Sequence, residues 1–160
     1  MDWKDAQQYT DWLNSMVGAK TYRLLSEAEF EYAARARSTT AYPWGDEIGE
    51  KNARCIGCNS EWDKQTAPVG SFKANDFGLY DMQGNVWQWV EDCWHDNFEG
   101  APNNGTAWRT ACASDQTNVV RGGSWVDPPE NLRSAFRYWD STGGRLSFLG
   151  FRVARTLVTP

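Results

Sequence analysis

Four cysteines and one histidine carry the least common chemistry in this sequence, and their spacing limits what they can do. Cys55 and Cys58 stand in a Cys-x-x-Cys arrangement, which can hold zinc, run thiol–disulfide exchange or close a small disulfide loop. Zinc needs two further ligands, and Cys93 and Cys112 are too unevenly spaced to form a second such pair. Two structural disulfides, or four thiols in a reducing compartment, are the other readings. His95, the only histidine, sits in Cys93-Trp94-His95-Asp96; as a general base it has no serine nucleophile motif to serve. Glu91 and Asp92 are adjacent, and neighbours along a strand point to opposite faces, so they read as a solvated pair rather than a catalytic couple.

The elements that must position these groups are clearest near the amino end. Trp3, Ala6, Tyr9, Leu13 and Met16 recur at spacings of three and four over residues 2–16, one face of an amphipathic helix that Gly18 stops. Ser26 to Glu29 forms a capping box, with Leu25 and Phe30 at the positions of a hydrophobic staple, so a second helix is predicted from Glu27 to Ala36. Beyond residue 40 the helical period is lost, and Gly, Pro, Asn and Asp interrupt short aromatic-rich stretches. Strands are predicted at Val86 to Val90, Val119 to Arg121 and Gly150 to Ala154. Residues 97–118, with Pro102-Asn103-Asn104-Gly105, are predicted as a surface insertion. Two helices ahead of loop-rich β structure make the fold class α+β.

A chain of 160 residues suits one domain with its own core. Hydrophobic residues at 41% and charged residues at 23% exclude a chain too polar to fold. No apolar run approaches the roughly 20 residues that span a bilayer, and Met1 to Asp5 lacks both the basic start and the apolar stretch of a secretory signal. Membrane insertion is not expected, and the default compartment is the cytoplasm. The net charge of −5 repels phosphate backbones, so nucleic acid is not an expected partner. Ten tryptophans, many beside Gly, Asp, Asn or Ser, suit loop-rich cores and binding surfaces alike.

Six blocks carry a wider resemblance: Tyr22 to Arg35, Tyr42-Pro43-Trp44-Gly45-Asp46, Ala67 to Phe72, Phe77 to Trp89, Arg121-Gly122-Gly123-Ser124-Trp125 and Gly150-Phe151-Arg152. Through them the whole chain resembles the sulfatase-modifying-factor family, founded by the formylglycine-generating enzyme. The resemblance implies a C-type-lectin-like fold with long loops and a small twisted antiparallel sheet. It also implies truncation, since family members usually carry a further amino-terminal portion. The family's enzyme binds copper and substrate thiol through two cysteines shortly after the Gly-Gly-Ser-aromatic block, soft thiolates selecting Cu(I). Here that segment runs from Val126 to Leu132 without cysteine, and none follows Cys112, so copper is not expected. The resemblance implies calcium at Asp81, the carbonyls of Gly84 and Val86, and Gln88, weakened because Gln88 replaces the family's usual Glu. A less secure second set is Asn52, the carbonyl of Ala53, Glu61 and Asp63. The alternative for both sets is that these groups cap turns and bind no ion.

Residues 121–155 alternate a fixed frame with unusual filler. The frame is the Arg121 block, Leu132 to Ala135, Arg137, Arg145 and the stretch from Gly150 to Arg155. The filler sets Phe136, Tyr138, Trp139 and Phe148 amid Ser, Thr and Gly, a mixture of rigid aromatics and adaptable small residues found in recognition loops; the alternative is that these aromatics complete the core. The layout resembles the variable proteins of diversity-generating retroelements. The expectation is a non-catalytic module binding a protein or glycan ligand through Asp127, Asn131, Phe136, Tyr138, Trp139, Asp140, Ser141, Leu146 and Phe148. The rivals are a formylglycine-type or related oxidoreductase and a regulatory domain severed from a larger signalling protein.

Overall fold

The structure, a computed structural model, describes residues 1–62 and 64–157. Helix α1 (Trp3–Val17) starts at Asp2, whose carboxylate accepts from the Asp5 amide while Asp5 returns the bond, and ends at Gly18 with φ 67°. Its buried stripe is Trp3, Ala6 and Thr10, narrower than the spacing predicted, because Tyr9 and Met16 stand exposed. Strand β1 (Tyr22–Leu24) leads into α2 (Glu27–Arg35), where Ser26 and Glu29 form the predicted capping box and Ala36 caps the far end in the left-handed region.

The β structure follows as β2 (Trp87–Cys93), β3 (Thr117–Arg121), β4 (Arg137–Ser141), β5 (Leu149–Phe151) and β6 (Val153–Arg155), with a 3-10 turn at Pro129–Leu132. One sheet has the order β4-β3-β2-β5 and the other pairs β1 with β6. The four-stranded sheet is mixed rather than antiparallel, since β5 runs parallel to β2 with Trp87 opposite Leu149. The stretch predicted as one strand from Gly150 to Ala154 is divided at Arg152 between the two sheets. The predicted surface insertion at 97–118 is also cut short, because β3 begins at Thr117. Strands β1 and β4 were not legible, being short and without clean alternation.

Three apolar clusters fill the interior. Trp3 and Ala6 meet Leu24, Trp87, Trp89, Val120 and Leu149; Phe30 and Ala34 meet Met82, Val90 and Val119; Tyr42, Ala53 and Leu132 enclose Cys55 and Cys58. All four cysteines are paired, Cys55 with Cys58 and Cys93 with Cys112, the two-disulfide arrangement among the readings that spacing left open. Gly122, at φ 95°, brings the turn after β3 against the Met82 carbonyl, which an added Cβ would approach to 2.8 Å. No helix among the described residues is long and apolar enough to cross a membrane.

Candidate functional site

Two arginines, Arg121 fully buried and Arg137 half-buried, fix the carboxyl-terminal segment. Arg121 is 0% exposed; its guanidinium donates to the carbonyls of Ser134, Ala135 and Phe136 at 2.8, 3.2 and 2.7 Å, and pairs with Glu31 at 2.7 Å and Glu27 at 3.5 Å. Burial pushes its pKa below the ordinary arginine value, and Glu27 and Glu31 oppose that shift. Arg137 forms a two-pronged bond with Glu27, both arms at 2.8 Å, and donates to the His95 carbonyl. Its guanidinium lies 4.3 Å from the Trp94 ring centre and 4.4 Å from that of Phe98. Through these contacts α2 holds the entry to β4.

On that anchored strand the nine predicted ligand-binding residues divide into three groups. Tyr138 and Trp139 are 52% and 42% exposed on β4, a strand whose one partner is β3, and Leu146 is 38% exposed beyond it. Asp140 is half-buried and accepts from the Ser141 amide, and Ser141 is exposed. Phe136 and Phe148 instead pack on the cluster around Trp87 and Trp89, so these two filler aromatics are partly core. The reason is tertiary: Phe136 lies in the turn clamped by Arg121, and Phe148 gives its carbonyl to the Trp87 amide at 2.8 Å. Asp127 and Asn131 form the third group. Asp127 accepts from the Ser124 hydroxyl and, at 2.9 Å, from the Asn131 amide, while its carbonyl accepts from Ile56. They fix the turn beside the Cys55–Cys58 loop.

The remaining candidates are placed as follows. His95 is 7% exposed and stacks on Trp108 with ring centres 3.5 Å apart, an enclosed position unlike that of a general base meeting substrate. Glu91 and Asp92 are not a solvated pair: Asp92 is 5% exposed and accepts from the amides of Glu27 and Trp108, while Glu91 pairs with Arg109 at 3.1 Å. Burial raises the Asp92 pKa against the pull of those two amides.

Asp81 has φ 54°; one carboxylate oxygen accepts from the Gly70 amide at 2.7 Å, and the other is buried without a partner. An orphaned carboxylate oxygen fits a hard cation. Gln88 does not: its amide nitrogen donates to the Asp81 carbonyl at 2.9 Å and its oxygen accepts from Arg152. The Gly84 carbonyl accepts from the Val86 amide. Asn52 lines the same cavity as Asp81, a space of about 80 Å³ shared with Trp44, Asp76 and Gln83. Ala53 is in the core, Glu61 is exposed, and Asp63 lies outside the described residues. The contacts by which Arg152 and Trp108 decide the surroundings of Asp81 and His95 are not legible in the sequence, since each acts on partners distant in the chain.

Comparison with known proteins fits this geometry. The family model for the sulfatase-modifying factor enzyme 1-like domain matches residues 1–157. The chain is 34% identical over 154 residues to the serine/threonine-protein kinase pkn1 of Chlamydia caviae, covering 96% of this chain and 23% of the kinase. It is 34% identical over 169 residues to the formylglycine-generating enzyme of Mycobacterium tuberculosis, covering 92% of this chain and 53% of the enzyme. Among solved structures, PvdO of Pseudomonas aeruginosa is 42% identical with a TM-score of 0.89, over 98% of this chain and 60% of PvdO. Treponema denticola variable protein 1 is 30% identical with a TM-score of 0.64, over 84% of this chain and 47% of that protein. The chain thus spans under a quarter of the kinase and about half of the enzyme. With the family model matched across nearly its full length, the chain belongs to the sulfatase-modifying factor enzyme 1-like domain family.

Proposed function

We propose that this chain is a non-catalytic ligand-binding module that engages a protein or glycan through Tyr138, Trp139, Asp140, Ser141 and Leu146. The observation that carries the reading is the pairing of exposed aromatics on an edge strand with an entry turn held by a fully buried arginine. A rigid frame lowers the ordering cost of binding, and exposed Tyr and Trp supply contact area at low entropy. The single neighbour of β4 leaves an edge on which an extended polypeptide could add, which favours a protein ligand. The likeness to Treponema denticola variable protein 1 supports reading residues 121–155 as a variable segment of the diversity-generating kind. Among the described residues every cysteine is in a disulfide, which gives copper no thiolate. Calcium belongs to the proposal through Asp81 alone among the side chains of the first set, Gln88 being turned to Arg152.

The test compares the wild type with a Tyr138→Ser, Trp139→Ser, Leu146→Ser variant on a peptide-display library and a glycan array. Capture by the wild type, lost in the variant at unchanged unfolding midpoint, is the expected result. A variant that unfolds as readily as Trp89→Ala would place these side chains in the core. Oxidation of a cysteine peptide to formylglycine by the wild type with copper and oxygen would overturn the non-catalytic reading.

A further inference from the structure

The insertion between β2 and β3 carries a chemistry that the proposed binding strand does not use. Asn104 is exposed there and is the one asparagine of the chain followed by glycine. Its side-chain oxygen accepts from the Thr106 amide at 3.1 Å and from the Thr106 hydroxyl at 2.7 Å, a turn in which the asparagine side chain bonds backbone two residues on. Two donors on that oxygen draw electron density from Cγ and leave it electrophilic, as paired donors do at a carbonyl under attack. The nucleophile stands next in the chain. The Gly105 amide has no hydrogen-bond partner among the described residues. Gly105 has φ 78°, and no atom lies within 4 Å of where a Cβ would stand, so nothing crowds the approach of its nitrogen. Asn104 also lines an open cavity of about 380 Å³ with Arg23 and Arg109 in its wall, which gives water access to the turn.

We propose that Asn104 is a site of spontaneous deamidation and isoaspartate formation, and that the reaction releases the insertion from α2. The Gly105 amide gives its proton to hydroxide, and its nitrogen bonds to Asn104 Cγ. The bond from Cγ to the side-chain nitrogen then breaks, and ammonia leaves with a proton from water. A second water opens the cyclic imide. Attack at Cγ gives aspartate, whereas attack at the backbone carbonyl routes the chain through Cβ and Cγ and gives isoaspartate. Nothing is oxidised or reduced, and the net exchange is one water taken up for one ammonia lost. The structural consequence passes through Gly105. Its carbonyl accepts from Ser26 Oγ at 2.6 Å, and that same hydroxyl accepts from the Glu29 amide as the cap of α2. Isoaspartate inserts an extra backbone carbon immediately before Gly105, which takes its carbonyl out of register with Ser26.

The full chain is held folded at neutral and at mildly alkaline pH, and timed samples are read by peptide mass spectrometry for amide-to-acid conversion. Isoaspartate is counted by methyl transfer from a carboxyl methyltransferase specific for that residue. Asn104 is expected to convert roughly tenfold or more faster than any other asparagine, since only there does glycine leave the attacking amide unhindered. The rate should rise with pH, because the attacking nitrogen must lose its proton. Thr106→Val removes the hydroxyl donor and should slow conversion about fivefold, the rate equivalent of one hydrogen bond. In urea, where the turn is absent, the variant and the wild type should convert alike. Conversion of Asn104 no faster than that of Asn103 overturns the site. Conversion that is fast in urea and absent from the folded chain overturns it as well, since the turn would then protect Asn104. Equal folded rates for Thr106→Val and wild type overturn activation by the turn; should that variant fail to fold, the two wild-type comparisons decide. The isoaspartate form, separated by anion exchange, is expected to be cut by protease within residues 97–106 sooner than unreacted protein, and equal cutting overturns the release from α2.

Discussion

Replacing Arg121 by methionine tests whether one guanidinium holds the frame beneath the proposed binding strand. The variant keeps most of the side-chain length and loses every polar contact. Removing one partner of a buried ion pair costs about 3–5 kcal/mol, because the other charge stays behind. Two features pull the cost downward: Glu27 keeps both arms of its bond to Arg137, and Glu31, with a side chain 30% exposed, can rehydrate. One pushes it upward, since the carbonyls of Ser134, Ala135 and Phe136 lose their donor, at about 1–3 kcal/mol for any that stays dry. The balance is about 4 kcal/mol. At roughly 2–4 °C per kcal/mol for a domain of this size, the melting temperature should fall by about 8–16 °C. Urea unfolding followed by tryptophan fluorescence measures the difference, with an unchanged slope showing that the midpoint shift is a change in stability. Arg121→Lys should lie between, since a point charge reaches fewer carbonyls than a planar fork. Arg145→Met, which removes an exposed partner of Asp2 and Asp5, serves as the surface control and should be close to silent. If Arg121→Met lies within about 1 kcal/mol of the wild type, α2 does not hold the entry to β4, and the case for a rigid binding strand fails with it.

Two further outcomes follow from buried carboxylates. Because burial raises the Asp92 pKa above its ordinary value of 3.8, the folded state binds this proton more tightly than the unfolded chain does. Its contribution to stability therefore declines as pH rises from about 3.8 through the folded value. Asp92→Asn lacks that titration and loses an acceptor for the Glu27 or Trp108 amide, so its deficit against the wild type should be largest in acid and narrow toward neutrality, measured by urea midpoints across pH. Calcium at about ten times its Kd should add about 1.4 kcal/mol by mass action, a rise of about 3–6 °C in melting temperature. The rise should vanish in Asp81→Asn; a wild type that melts alike in chelator and in millimolar calcium removes the ion from the proposal.

The sequence by itself determined what depends on neighbours in the chain. The capping box at Ser26 and the left-handed stop at Gly18 set α2 and α1 within a residue of their predicted ends, because caps are satisfied by groups three or four positions away. The blocks around Gly84 and Gly122 identified the family, since their glycines stand where a Cβ would meet backbone, at 2.5 Å from the Arg54 carbonyl for Gly84. The missing thiols after Trp125 were also plain from the residues alone. Tertiary structure decided what depends on distant partners. Spacing left the cysteines open to several chemistries, and the pairing of Cys93 with Cys112 follows from the path of the loop between them. Alternation suggested solvent for Asp92, yet α2 and the Trp108 loop cover it and supply its two amides. Composition could not divide the filler aromatics: Phe136 and Phe148 turn to the Trp87 cluster while Tyr138 and Trp139 stay exposed. Burial of a ring depends on which surface the fold lays against it, and that surface comes from residues tens of positions away, so local pattern carries no record of it.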